Sequence, residues 1–185
     1  MILVINTCSE ELHYFEFVKP VEEVLRSIKV ECKVRHYNEL QKKDLIAAEK
    51  IIICGTSLKD FQYLKDLKKF SFLKSPDFEK PVLGICAGMQ LLCLAFGSAL
   101  EKSREIGLTD AFFGEPFFSI ERKAQVYSLH NSAVKQSKAL EKNFKVFARS
   151  EHCVQAVKHL QKPFYGVLFH PEVRNRQLIE EFAKD

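Results

Sequence analysis

The chain has 185 residues, 46% of them apolar, and its 28 basic and 24 acidic residues leave a formal charge of +4. That length and apolar content suffice for a real core, so residues 1–185 are expected to form a single domain. The mixed charge makes no basic stripe for nucleic acid, and no apolar run is long enough to span a membrane.

Met1-Ile2-Leu3-Val4-Ile5 opens the chain without a basic flank or a long apolar stretch, so it reads as a first strand over Ile2–Ile5 and not as a signal peptide. Val21, Val24, Leu25 and Ile28 share one helical face, which predicts a helix over Val18–Ile28. Short unbroken apolar runs recur around Val34, at Ile51–Cys54 and at Val82–Ile85, the pattern of parallel strands buried on both faces. Lysine-rich Lys59–Lys80 reads as a solvated helix or loop. Strands alternating with helices imply right-handed βαβ units, hence an open, mostly parallel α/β sheet with helices on both faces. Ligands of such sheets bind beyond the carboxyl ends of the strands.

From about Gly114 the texture changes to short β-rich segments: Phe117–Ile120, Gln125–Tyr127, Phe144–Ala148 and Val154–Val157. They predict largely antiparallel strands returning to the same sheet, closed by a helix over Arg174–Ala183. The pairs Phe112-Phe113 and Phe117-Phe118 are candidates for a docking surface, against a plain role in the core. None of the six cysteines forms a C-x-x-C pair. Cys8, Cys32, Cys54, Cys93 and Cys153 read as small apolar packing residues in a reduced, cytoplasmic setting.

Cys86 differs from these. It sits in Gly84-Ile85-Cys86-Ala87-Gly88-Met89-Gln90, after the apolar run at Val82 and before a run of helical spacing. A strand, sharp turn and helix of this kind form a nucleophile elbow, whose flanking small residues let the backbone bend tightly. A thiol at that bend lies at a helix N-terminus, where unpaired N–H groups favour thiolate and the amide after the cysteine is free for an oxyanion. A cysteine nucleophile needs a histidine to move protons and a carboxylate to orient it. Phe164–Phe169 reads as a buried strand ending in His170-Pro171-Glu172, where proline stops the strand and leaves His170 and Glu172 at its end. Cys86, His170 and Glu172 are therefore the candidate catalytic triad. His13, His36, His152 and His159 read as surface or packing residues, and His130 as either a pocket residue or a structural one.

These segments resemble the class I glutamine amidotransferases. Gly84–Gln90 is similar to that family's nucleophile segment, and Phe169-His170-Pro171-Glu172 to its histidine and glutamate segment. Tyr127–Val134 and Ala148–Cys153 look like parts of the glutaminase portion of GMP synthases. The resemblance implies a flavodoxin-like architecture and hydrolysis of L-glutamine through a cysteine thioester, with no cofactor and no metal. It implies that Ala87 supplies one oxyanion N–H, that the loop at Gly55 and Thr56 supplies the second, and that Gln90 and His130 lie in the glutamine pocket. It also implies a separate synthetase that takes the ammonia, because the chain has no P-loop and no pyrophosphatase loop.

Two segments depart from the family pattern. Gly55-Thr56-Ser57 stands where the family has Gly-Gly-Pro, and Asn6-Thr7-Cys8-Ser9 lacks the usual aspartate- and glycine-containing turn. A β-branched threonine resists the peptide reorientation that glycine permits, so Thr56 either locks the oxyanion loop in one state or leaves activity weak without a partner. Two other readings stay open: a non-catalytic or regulatory relative on the same scaffold, and a cysteine hydrolase of the protease and chaperone-like group. In the latter a histidine commonly follows the nucleophile, where this chain has Ala87.

Overall fold

A computed structural model, which describes residues 1–184, contains one sheet of nine strands. The first half supplies β1 (Ile2–Asn6), α1 (Glu11–Phe17), α2 (Lys19–Ser27), β2 (Cys32–His36), α3 (Lys42–Ala47), β3 (Lys50–Ile53), α4 (Gln62–Lys65), β4 (Val82–Ile85) and α5 (Ala87–Ala95). The second half supplies β5 (Leu100–Phe113), β6 (Lys123–Val134), α6 (Lys138–Glu141), β7 (Phe144–Arg149), β8 (Val154–His159), β9 (Phe164–Val167) and α7 (Gln177–Lys184). The strand order is β2-β1-β3-β4-β9-β8-β7-β5-β6. Strands β2, β1, β3, β4 and β9 run parallel, and β8, β7, β5 and β6 continue the sheet by antiparallel pairing. Among the described residues no helix is long and apolar enough to cross a membrane.

The unbroken apolar runs are explained by burial on both faces. Ile2 and Val4 of β1 join a core with Val21, Val24 and Leu25 of α2 and Leu178, Ile179 and Phe182 of α7. Leu3 and Ile5 of the same strand face the opposite core, with Met89, Leu91 and Leu92 of α5 and with Phe70 and Leu73. Successive side chains of a strand point to opposite faces, so such a strand has no position to leave polar.

The structure corrects three sequence expectations and, for the phenylalanine pairs, favours the role in the core over the docking surface. Lys59–Lys80 is not a solvated segment: α4 and a 3-10 helix over Leu67–Lys74 bury Tyr63, Phe70 and Leu73 while the lysines face outward. Phe117–Ile120 is a tight turn closed by a bridge between its end residues, with Phe118 at φ 51°. Phe113 and Phe117 are buried and only Phe112 of the two aromatic pairs is exposed, so the pairs form no continuous surface. Strand β5, unseen in the sequence, pairs along most of its length with a β6 far longer than Gln125–Tyr127.

Candidate active site

The β4–β9 pairing brings together residues far apart in the sequence. Ile85 lies beside Val167 in parallel register, and the Cys86 N–H donates to the Val167 carbonyl at 2.8 Å. The chain leaving β4 therefore turns at Cys86 next to the chain leaving β9, which reaches His170 three residues later. The His170 N–H donates to the Tyr127 carbonyl of β6 at 2.8 Å, and the ring packs on Phe17 with centroids 5.5 Å apart.

Cys86 itself makes the sharp turn, at φ 49° and ψ −103°, a conformation costly for a residue with a side chain. Its flanking glycines do a different job from the one expected, since neither has positive φ. A Cβ on Gly84 would lie 2.5 Å from the Gly88 carbonyl, and one on Gly88 would lie 2.1 Å from the Ile53 carbonyl. They let α5 sit directly on β3 and β4. Ala87 is the first residue of α5, so its N–H has no acceptor within the helix.

Cys86, His170 and Gly55 converge on one point. A Cβ on Gly55 would be 3.2 Å from Cys86 Cβ and 2.8 Å from His170 Cε1. His170 Nδ1 bonds Glu172 Oε1 at 2.7 Å, both residues being buried, while His170 Nε2 has no hydrogen-bond partner. Burial alone would lower the His170 pKa, but the Glu172 carboxylate and the neighbouring Cys86 sulfur outweigh it and hold the imidazole well above its ordinary value. The ring is thus oriented by Glu172 and biased toward its protonated form. Such an arrangement can deliver a proton to a leaving group and take one from water.

The remaining predicted residues border an inner cavity over Cys86. Thr56, Ala87, Gln90 and His130 line it together with Tyr63 and Ser132. Its free space is about 20 Å³, room for a single water-sized molecule. Outside it lies a cleft of about 800 Å³, which shares Ser57, Leu58, Asp60, Phe61 and Leu129 with the inner cavity. Gln90 is buried, and its amide is held between the Tyr63 hydroxyl at 2.5 Å and the Ser132 carbonyl at 2.8 Å.

His130 belongs to a polar cluster that the sequence did not reveal. Nδ1 faces the Ser103 carbonyl at 3.0 Å and Nε2 faces Glu105 Oε2 at 3.1 Å. Both partners only accept, so the ring is doubly protonated. Burial works against that charge, but contacts with Cys153 and Glu105 raise the pKa to about 10. Gln155 Nε2 donates to the same Glu105 oxygen at 2.6 Å, and the Cys153 thiol lies 3.6 Å from it. Cys153, expected as simple apolar packing, thus sits against a carboxylate. The signal was hidden because Glu105 lies in a charged run that reads as a solvated surface.

A family model described as glutamine amidotransferase class-I matches residues 13–185. The chain is 31% identical over 157 residues to the glutamine-hydrolysing GMP synthase subunit of Methanocaldococcus jannaschii, covering 75% of this chain and 82% of that protein. It is 39% identical over 118 residues to the same subunit of Pyrococcus abyssi, covering 58% and 61%. In fold it is similar to a crystal structure described as a GMP synthase subunit from Thermoplasma acidophilum. That match has a TM-score of 0.85 at 24% identity and covers 98% of this chain and 91% of that one.

Proposed function

The chain belongs to the class-I glutamine amidotransferase family, and from that premise we propose that it hydrolyses L-glutamine to glutamate and ammonia with Cys86, His170 and Glu172 as the triad. The observation that supports these roles best is the buried His170–Glu172 pair beside Cys86, with Nε2 of the imidazole left unpartnered. Glutamine enters from the outer cleft, and its side-chain amide reaches Cys86 once the wall shared by the two cavities yields. Sγ attacks the amide carbon, and the carbonyl electrons move onto oxygen, where the N–H groups of Ala87 and Thr56 receive them. His170 gives its Nε2 proton to the amide nitrogen, the C–N bond breaks, and ammonia leaves a γ-glutamyl thioester. Water then loses a proton to Nε2 as its oxygen bonds the same carbon, and the C–S bond breaks to release glutamate.

Ammonia released into water at neutral pH is mostly ammonium, a poor nucleophile. The proposal therefore includes a separate synthetase subunit docked over the cleft, of the GMP synthase kind that the relatives' names suggest. Glutamate release is measured with the purified chain alone and with candidate synthetases, alongside labelling by a glutamine-mimicking electrophile. The expected result is turnover and a label on Cys86 that disappears in Cys86→Ala. No turnover in any mixture, or a label on another cysteine, defeats the proposal.

A further inference from the structure

The two segments that depart from the family pattern lie against each other. Thr7, fully buried, directs its hydroxyl at the carbonyls of Cys54 at 3.0 Å and Gly55 at 3.1 Å. The Cys8 thiol lies 3.7 Å from the same Gly55 carbonyl, and burial pushes its pKa up to about 11, so it stays a donor. Asn6 Oδ1 accepts the Cys8 N–H at 2.8 Å and shapes the turn that presents both groups. On the other side of the loop the Thr56 hydroxyl donates to Asp60 Oδ2 at 2.8 Å, and that oxygen also accepts the Ser9 N–H at 2.7 Å.

A trans peptide carries its C=O and N–H on opposite sides, and the Gly55–Thr56 bond is trans. With the Gly55 carbonyl turned to Thr7 and Cys8, the Thr56 N–H points the other way, where Thr56 borders the cavity with Cys86 and Ala87. Reversing this peptide would rotate Gly55 ψ and Thr56 φ by about half a turn, taking Thr56 from negative to positive φ, where a β-branched residue is strained. Reversal would also remove both donors from the Gly55 carbonyl.

On the glutaminase reading above, we infer that Thr7, assisted by Cys8, is a positioning residue that clamps the Gly55–Thr56 peptide with its N–H turned to the oxyanion. The oxyanion hole is then complete in the chain alone, and no partner is needed to form it. Thr56 and Thr7 act from opposite ends of one peptide: threonine at 56 opposes reversal, and the hydroxyl at 7 rewards the present orientation.

The test is steady-state glutamine hydrolysis by the chain without any synthetase, for wild type, Thr7→Val and Thr7→Ser, with Cys86 labelling run in parallel. Thr7→Val keeps the shape and removes the donor. It is expected to lower kcat about ten- to a hundred-fold with KM within about twofold, as for a weakened oxyanion donor. Thr7→Ser returns the donor and is expected to recover most of the rate. Should Thr7→Val fail to fold, Thr7→Ala carries the same prediction, because it also removes the hydroxyl that holds the Gly55 carbonyl. Undiminished kcat in Thr7→Val, or equal losses in the serine and valine variants, overturns the clamp and leaves the glutaminase reading standing. Wild type that is labelled at Cys86 but does not turn over alone also overturns the clamp only. Wild type that is not labelled at Cys86 overturns the glutaminase reading itself.

Discussion

Gly55 and His170 approach where no side chain fits: a methyl group on Gly55 would stand 2.8 Å from Cε1 of the imidazole. The ring is held on two sides, since Glu172 bonds Nδ1 at 2.7 Å and Phe17 packs against it at a tilt of 53°. Gly55→Ala must therefore displace the imidazole or the oxyanion loop. A misplacement of about 1 Å costs on the order of 100-fold in rate, so turnover is expected to fall by at least that factor. Glutamate release compared with the thermal melting point separates lost alignment from lost fold. Wild-type turnover in the alanine variant would contradict the geometry.

Glu172 is expected to set the alkaline limit of activity. The imidazole is buried, which favours its neutral form, and the Glu172 carboxylate, with the neighbouring Cys86 sulfur, holds its pKa well above the ordinary value of 6.5. In Glu172→Gln the stabilising charge is gone, so the His170 pKa falls and protonation of leaving ammonia fails at lower pH. The alkaline limb of the kcat profile is expected to move down by more than one pH unit, with kcat lower by about 10²- to 10⁴-fold, as when a triad carboxylate becomes an amide. An alkaline limb that stays in place with a merely scaled rate would show that Glu172 does not govern the proton.

The parallel half of the fold was legible because strands buried on both faces leave no polar position, so β1, β3 and β4 appear as bare apolar runs. The meeting of Cys86, His170 and Glu172 was legible for a related reason. Cys86 and His170 both come directly after such runs, and adjacent parallel strands deliver the residues beyond their carboxyl ends to the same sheet edge. β5 was illegible because it pairs mainly with β6 and keeps much of its length in solvent, so Lys102, Arg104 and Glu105 look alike in the sequence. Only the register shift between Lys102 and Glu105 and the arrival of His130 opposite Glu105 turn that one carboxylate inward. The Thr7 contacts were hidden too, because a loop residue's partner lies on another strand's end and no periodicity records it.

The Glu105–His130 pair is expected to make stability depend on pH in a definite direction. An imidazole whose pKa rises on folding holds its proton more tightly in the native state. Its contribution is complete below about pH 6.5 and is lost as pH rises toward about 10. Burial works against the charge on Glu105, yet the contact with His130 and its other hydrogen bonds hold its pKa below the ordinary value, so its own contribution is lost only on acidification. Urea midpoints between pH 6.5 and 10 are expected to decline in wild type, and that decline is expected to be largely absent in Glu105→Gln. The variant loses about 3–5 kcal/mol near neutrality, the usual cost of breaking a buried pair. Parallel curves for the two proteins across this range would mean that the ring is neutral in the fold.

Cys86 is expected to be a position where activity is held at the expense of stability. Its φ of 49° with ψ of −103° lies outside the regions open to residues with a Cβ, and such backbone strain costs on the order of 1–3 kcal/mol. Glycine has no Cβ and relieves that strain, whereas alanine keeps it. Glycine normally loses to alanine by about 0.4–1 kcal/mol through its greater freedom when unfolded, so Cys86→Gly is expected to exceed Cys86→Ala in unfolding free energy by the remainder, about 0.5–2 kcal/mol. Both variants lack the sulfur and are expected to be inactive, so the comparison isolates the backbone. Chemical denaturation of the two proteins under one condition is the measurement. A Cys86→Ala protein as stable as Cys86→Gly, or more so, would show that the strain of the turn does not exceed glycine's own cost of about 0.4–1 kcal/mol and would defeat the expectation.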